Sequence, residues 1–284
     1  MKVLLTGGTG FIGQHVIELL SQSEHQVCSL YRSSAPVDQY KNIHWLQSQM
    51  HPAEWSSIRN CLNGMPEAII HLAAKGVNPV NLHLEDCFLS NVLHPLLLWE
   101  QAINRGVNRI ILCGSCFEYG ATCSSYEYVP VEAAPMPLNA YAASKASATM
   151  ALSGLVSSND IQGIVLRPCV VYGDGEPDYR LYPSLKKAAL NNLDFPMTEG
   201  TQVRDFIHVT YVAQALVDSL SRADLCNGKL KLENLSGQVL TVAQFASQLW
   251  NEFGASSKLL LGVKPSRPHE MPRMVPQVMA FKSN

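Results

Sequence analysis

The stretch Thr6-Gly7-Gly8-Thr9-Gly10-Phe11-Ile12-Gly13 follows directly on the apolar run Val3, Leu4, Leu5 and opens a helical pattern over Phe11 to Leu20. Few sequences constrain a fold more tightly than a glycine-rich turn between a buried strand and a helix. Gly7 allows the tight turn out of the strand, Gly10 lets the backbone approach a pyrophosphate, and Gly13 lets the helix pack closely against the sheet. The helix N-terminus offers free N–H groups and the positive end of its dipole to phosphate. In this setting the motif predicts a dinucleotide site, although a glycine turn that opens a helix also occurs in other mononucleotide folds.

The rest of the chain repeats the strand and helix alternation. Apolar runs at Val27 to Leu30, Ile43 to Leu46, Ala68 to His71, Arg109 to Cys113 and Ile164 to Arg167 are separated by helical patterns at 53–62, 85–104 and 140–155. Such alternation predicts a parallel sheet with helices on both faces, closed by right-handed crossovers into a doubly wound α/β fold. Ligands of such folds bind outside the carboxyl ends of the strands. Pro95, inside the 85–104 pattern, is expected to kink that helix locally. The same segment carries Leu89, Val92, Leu93, Leu96, Leu97, Leu98 and Trp99, more apolar surface than one core-facing stripe needs.

A second motif, Tyr141-Ala142-Ala143-Ser144-Lys145, sets a phenol and an ammonium four residues apart on one helical face. There the ammonium is expected to lower the phenol's pKa and to hold a ribose. With His71-Leu72-Ala73-Ala74, Asn91, Ser115-Cys116-Phe117-Glu118-Tyr119-Gly120, Leu166-Arg167-Pro168, Tyr172-Gly173 and Arg204-Asp205-Phe206-Ile207-His208-Val209, these motifs stand in one characteristic order. In this the chain resembles the extended short-chain dehydrogenase/reductase family, also called the NAD-dependent epimerase/dehydratase family, over nearly its whole length.

The resemblance implies a Rossmann sheet with a smaller substrate lobe. Residues 1–172, with 204–231 returning, form the dinucleotide-binding domain, and 173–203 with 232–284 the substrate-binding lobe. It gives Ser115 the hydrogen bond to the substrate oxygen, Tyr141 the role of general acid or base, and Lys145 the nicotinamide ribose. Gly7, Gly10, Phe11, Ile12, Gly13, Arg32, Ser33, Leu72, Ala73, Ala74, Lys145 and Pro168 are the expected cofactor contacts. Arg204 and Arg267 match arginines that bind the diphosphate of a sugar nucleotide, Arg204 having an interlobe salt bridge as its structural alternative. Asn91 braces the site from behind. A homodimer through helices 85–104 and 140–155 is also implied.

Two departures narrow the chemistry. Family dehydratases carry an Asp-Glu pair after the catalytic Ser/Thr, where this chain has Cys116 and Phe117, so elimination of water is disfavoured. Glu118 stands one position later, and strand alternation would point it away from the acid's place. An NAD-selective unit places an acidic residue about 20 positions past the glycine motif. Here the second strand ends in Tyr31-Arg32-Ser33-Ser34, and the Arg32 guanidinium suits a 2′-phosphate unless it merely faces solvent.

The expectation is therefore an NADPH-dependent reductase of a nucleotide-diphosphate 4-keto-6-deoxyhexose in deoxysugar biosynthesis, similar to dTDP-4-keto-6-deoxyglucose reductases and CDP-abequose synthases. The alternative is an NAD-dependent nucleotide-sugar 4-epimerase, and from another class a non-catalytic NADP-sensing protein. The 284 residues carry a net charge of −2 and no basic run, which argues against nucleic-acid partners. No leader-like segment or bilayer-length apolar stretch is present, so a cytoplasmic protein is expected. The eight cysteines read as reduced thiols, and no ligand spacing predicts a metal site.

Overall fold

The computed structural model describes residues 1–34, 40–49, 55–76, 83–266 and 270–278. The apolar runs become β1 (Lys2–Thr6), β2 (Gln26–Tyr31), β3 (Ile43–Gln47), β4 (Ala68–His71), β5 (Arg109–Cys113) and β6 (Gln162–Pro168). With β10 (Leu230–Leu235) they form a seven-stranded sheet in the order β10-β6-β5-β4-β1-β2-β3, parallel throughout. The order reverses between β1 and β4, and that is where a doubly wound sheet opens its binding crevice.

Strand alternation sorts the core into two layers. Val3, Leu5, Ile70, Ile111 and Ile164 point to one face, where Val16, Ile17 and Leu20 of α1 (Phe11–Ser21) and Val212, Ala213 and Leu216 of α7 (Val209–Asp218) cover them. Leu4, Ile69, Ile110, Leu112 and Val165 point to the other. There they meet Trp55 and Ile58 of α2 (Trp55–Cys61), Leu98 and Trp99 of α4 (His94–Ile103), and Leu152 and Val156 of α5 (Ala140–Asn159). A parallel sheet buried on both faces needs such unbroken apolar strands.

The helix expected over 85–104 is interrupted. Helix α3 (Leu84–Phe88) passes into a π-helical turn over Leu89–Leu93 before α4 begins, and the His94 N–H bonds to the Leu89 carbonyl. Pro95 has no N–H to give the preceding turn, and the backbone absorbs the missing bond by widening that turn. The turn carries Asn91 into the interior, where its amide bonds the Lys75 N–H (2.7 Å), the Lys75 carbonyl (2.8 Å) and the Ser144 hydroxyl (2.8 Å).

A second sheet contains β9 (Val203–His208) between β11 (Gln238–Thr241) and β13 (Arg273–Met274), with β7 (Val170–Tyr172) also paired to β9, and the short β8 (Phe195–Pro196) and β12 (Leu259–Leu260) pair separately. Its separate core joins Phe206, which stacks on Phe245 at 3.8 Å, to Leu185 of α6 (Leu181–Leu190) and Leu249 and Trp250 of α8 (Val242–Glu252). Two expectations change. The strand beginning near Arg204 joins this sheet and not the large one; only α7 after it packs on the main layers. In turn β10 continues the large sheet through Leu235, past the expected boundary at 232, because its side chains register on β6 and Leu230 and Leu232 pack into the core beneath.

Candidate active site

Two cavities open at the carboxyl ends of the large sheet and meet at the glycine loop. The first, about 600 Å³, is lined by Gly7, Gly10, Tyr31, Arg32, Ser48, Leu72, Ala73 and Ala74, and by Leu93 and Leu97 of the interrupted helix. The second, about 690 Å³, brings Gly7, Gly10, Phe11, Ile12, Gly13, Leu72, Ala74 and Pro168 together with Ser115, Tyr141 and Lys145. Residues from opposite ends of the Rossmann half thus share one wall.

The loop's glycines differ in what surrounds them. Gly7 sits at φ +77°, and a Cβ there would meet the Ala73 nitrogen at 2.5 Å; at Gly13 it would meet the Gly7 carbonyl oxygen at 2.0 Å. At Gly10 the only near atom is that same oxygen, at 3.3 Å, so its outer face stays open to both cavities. Backbone packed on two sides and bare on the third fits a pyrophosphate seated over the N-terminus of α1. A dinucleotide would run from this loop toward Arg32 at one end and toward Tyr141 and Lys145 at the other.

Ser115 ends β5's run and caps a short 3₁₀ turn over Cys116–Tyr119, its hydroxyl oxygen accepting from the Phe117 N–H at 3.2 Å. Tyr141 and Lys145 lie in the first turns of α5, which starts at a capped Asn139 whose side chain accepts from the Ala142 N–H at 2.9 Å. Lys145 is 4% exposed and donates to the Cys113 carbonyl at 2.5 Å, tying α5 to the end of β5. Burial holds its ammonium below the ordinary lysine range.

Tyr141 departs from expectation. Burial pushes its phenol up, with the Cys113 thiol and the Glu118 carboxyl adding to the rise; the opposing influences are a hydrogen bond with Ser115 and the charge of Arg180. The Lys145 ammonium is spent on a carbonyl, so desolvation outweighs it. Glu118 also differs in its setting. It lies in the 3₁₀ turn, not on a strand, wholly buried beneath Ser115 and absent from the cavity wall.

Other predicted residues fall outside the cavities. Arg204 is buried, donating to the Val203 and Met271 carbonyls (2.9 and 2.6 Å) and facing Glu270 at 3.7 Å, so its guanidinium fastens β9 to the chain beside β13. The ion pair therefore lies within the small sheet, and not between lobes as its structural alternative had it. Ser33 lines neither cavity, and Arg267 lies outside the described residues. Sequence reasoning passed over Asn139, Glu176, Tyr179 and Arg180, which complete the second cavity. A signal for two of them was present: Glu176 and Arg180 stand four apart just after Tyr172-Gly173 and pair at 2.8 Å. His71 packs edge-on against Trp99 and bonds the Thr6 hydroxyl at 2.9 Å. Among the described residues, no group of three or more His, Cys, Asp or Glu side chains is placed to hold a metal ion, and no helix is long and apolar enough to cross a membrane.

Known proteins share the chain's sequence pattern and its fold. A UDP-glucose 4-epimerase from Erwinia amylovora is 27% identical over 259 residues, covering 80% of this chain and 76% of the relative. A UDP-glucose 4-epimerase from Thermotoga maritima, solved with UDP-glucose, superposes with a TM-score of 0.85 at 24% identity, over 98% of this chain and 90% of that one. A UDP-glucuronic acid 4-epimerase from Bacillus cereus, in complex with UDP-4-deoxy-4-fluoro-glucuronic acid and NAD, gives 0.84 at 20% identity, over 98% and 90%. These two likenesses are of fold. The model of the NAD dependent epimerase/dehydratase family matches residues 3–228, and the chain belongs to that family.

Proposed function

We propose that the chain is an NAD(P)-dependent enzyme that exchanges a hydride at C4 of a nucleotide-diphosphate hexose. The observation that carries this reading is the shared cavity, in which the open backbone at Gly10 and the Ser115, Tyr141 and Lys145 side chains face one space. A bound nicotinamide supplies the hydride acceptor or donor. The chain's own part is to place and move the proton. Ser115 donates to the sugar oxygen, Tyr141 gives or takes the proton at that oxygen, and Lys145 holds the ribose from the buried end of α5. Ser115 and Tyr141 line the same cavity, which supports assigning both groups to one substrate atom.

Two outcomes share this half-reaction. Sequence relatives support epimerisation better than net reduction, since those from Erwinia amylovora and Corynebacterium glutamicum are UDP-glucose 4-epimerases. In that outcome the 4-hydroxyl is oxidised and the ketone is reduced from its other face, with no net consumption of cofactor. One observation favours the reductase instead: among the described residues lining the first cavity there is no carboxylate to accept from a ribose 2′-hydroxyl, and Arg32 stands just past the end of β2. An exchangeable NADPH is the cofactor that such a wall selects, whereas the NAD seen in the Bacillus cereus neighbour accords with the epimerase.

Purified protein offered UDP-glucose or UDP-galactose without added cofactor, and separately dTDP- and CDP-linked 4-keto-6-deoxyglucose with NADPH, separates the outcomes. Interconversion of the UDP sugars with co-purifying NAD establishes the epimerase. Oxidation of one NADPH per keto sugar establishes the reductase. Tight cofactor binding without turnover of any of them would return the chain to the sensing class.

A further inference from the structure

We propose that Glu118 is a positioning residue, whose buried carboxylate locks the Ser115 turn to the helix carrying Tyr141 and Lys145. The inference rests on the assignment of those three residues as the hydride-exchange machinery. Glu118 is 0% exposed, and the hydrogen-bond partners of its carboxylate are all donors. Its Oε1 accepts the Ser115 N–H at 2.8 Å. Its Oε2 accepts the Thr149 hydroxyl at 2.9 Å and Arg167 Nε and Nη2, each at 3.0 Å. Ser115 follows β5, Thr149 lies on α5 one turn past Lys145, and Arg167 stands near the end of β6 beside the cavity residue Pro168. One carboxylate therefore joins the three elements whose ends form the cavity wall.

The chemistry admits few substitutes. An amide in this place would turn an N–H₂ toward another donor, and an apolar side chain would strand the buried Arg167 charge and the Ser115 N–H. Arg167 is held from its other side as well. Its guanidinium lies 4.9 Å over the Tyr119 ring and donates to the Tyr119 hydroxyl at 3.1 Å, which itself donates to Asn234 of β10 at 2.7 Å. The fixed turn leaves the Ser115 oxygen accepting from Phe117, so the hydroxyl proton remains for the cavity. Glu118 also acts through its charge. It raises the titration of both Tyr141 and Lys145, alongside Cys113 from β5, while Arg180, itself paired with Glu176, lowers that of Tyr141.

The test compares Glu118→Gln, Glu118→Asp and Thr149→Val in the full chain, with turnover and its pH profile measured beside cofactor binding. Glu118→Gln should lower kcat roughly 10- to 100-fold, the scale of a displaced reacting group, with cofactor affinity unchanged. The alkaline-rising limb of kcat/KM should move to lower pH as the negative charge leaves. Glu118→Asp keeps the charge and loses the reach, so kcat should fall while the limb stays. Thr149→Val should give a smaller kcat loss with KM unchanged. Wild-type kcat and an unmoved limb in Glu118→Gln would overturn the proposal, and if that variant does not fold, wild-type kcat in Thr149→Val does so. An ultraviolet difference titration of tyrosinate, each protein against its own Tyr141→Phe form, needs no sugar. A lower Tyr141 titration in Glu118→Gln supports the role even if no nucleotide sugar is turned over, and an unchanged one ends it.

Discussion

Tyr141 and Arg32 sit at opposite ends of the proposed cofactor path, and each gives a sharp single-residue test. Tyr141→Phe keeps the ring that lines the cavity and removes the proton. Turnover should fall by roughly 10² to 10⁴-fold while cofactor binding, followed by fluorescence titration, holds; near-normal turnover would remove Tyr141 from proton transfer. Arg32→Asp should repel a 2′-phosphate and offer a ribose diol an acceptor. Charge-assisted bonds are worth about 1.5–3 kcal/mol each, so the NADPH to NADH preference should shift by roughly ten-fold or more, read from the two dissociation constants. His71 carries a stability prediction. Burial holds its imidazole down to about 3, below the unfolded value near 6.5. The unfolded chain therefore binds a proton that the native one refuses, and stability, full above about pH 6.5, is lost as pH falls toward 3, by up to about 1.4 kcal/mol per unit. Denaturant titrations across that range should show a flatter slope in His71→Asn. The motif residues were legible because their spacing encodes their geometry. The contacts of Arg204 with the Met271 carbonyl and Glu270 were not, because those partners come beside it only when the chain is folded.

At the scale of elements, the strands were legible because both faces of a buried parallel strand must be apolar, and the runs at Val3, Ile69 and Ile110 leave no other reading. Helix α8 opens on a reciprocal cap, in which Thr241 and Gln244 each take the other's backbone N–H with a side-chain oxygen. The helix before β5 was harder. Its composition gives one continuous pattern, and the widened turn at Leu89–Leu93 follows from Pro95 together with the polar grip of Asn91 on Lys75 and Ser144. Periodicity does not register bonds of that kind. The glycine turn allows a direct test of how tightly an element is seated. An added methyl at Gly13 would lie 2.0 Å from the Gly7 carbonyl oxygen, a backbone atom that yields only if the whole loop moves. Gly13→Ala should therefore lose cofactor affinity and about 1–3 kcal/mol of stability, as overpacked sites do. Thermal melts with and without NADP would register both effects. An unaltered melt and dissociation constant would mean that the loop is more pliant than its packing implies.

For the whole molecule, the order of strands follows from the fold class, while the division between the two sheets did not follow from the sequence. Strands β9 and β10 are both short amphipathic runs near a presumed border, and which sheet each joins is settled by partners far along the chain, Phe245 for one and β6 for the other. Apolar surplus on the helix before β5 pointed to a buried partner, and part of it has a nearer explanation, since Leu93 and Leu97 line the first cavity. What remains is Leu84 at 58% exposure, Leu89 at 37% and, on α5, Met150 at 59%. Between Lys145 and Asn159, α5 carries no charged residue at all. Its exposed positions are Met150 and the small or neutral polar Ser153, Gly154, Ser157, Ser158 and Asn159, and this uncharged surface beside Leu84 is the basis for proposing a homodimer through these helices. Sedimentation equilibrium should give a dimer for the wild-type chain. Met150→Glu should shift it to monomer with an unchanged circular dichroism spectrum, because an unpaired carboxylate at the centre of an apolar contact costs several kcal/mol while an exposed one costs little. A wild-type monomer, or a dimer indifferent to Met150→Glu, would place the uncharged face in contact with something other than its own copy.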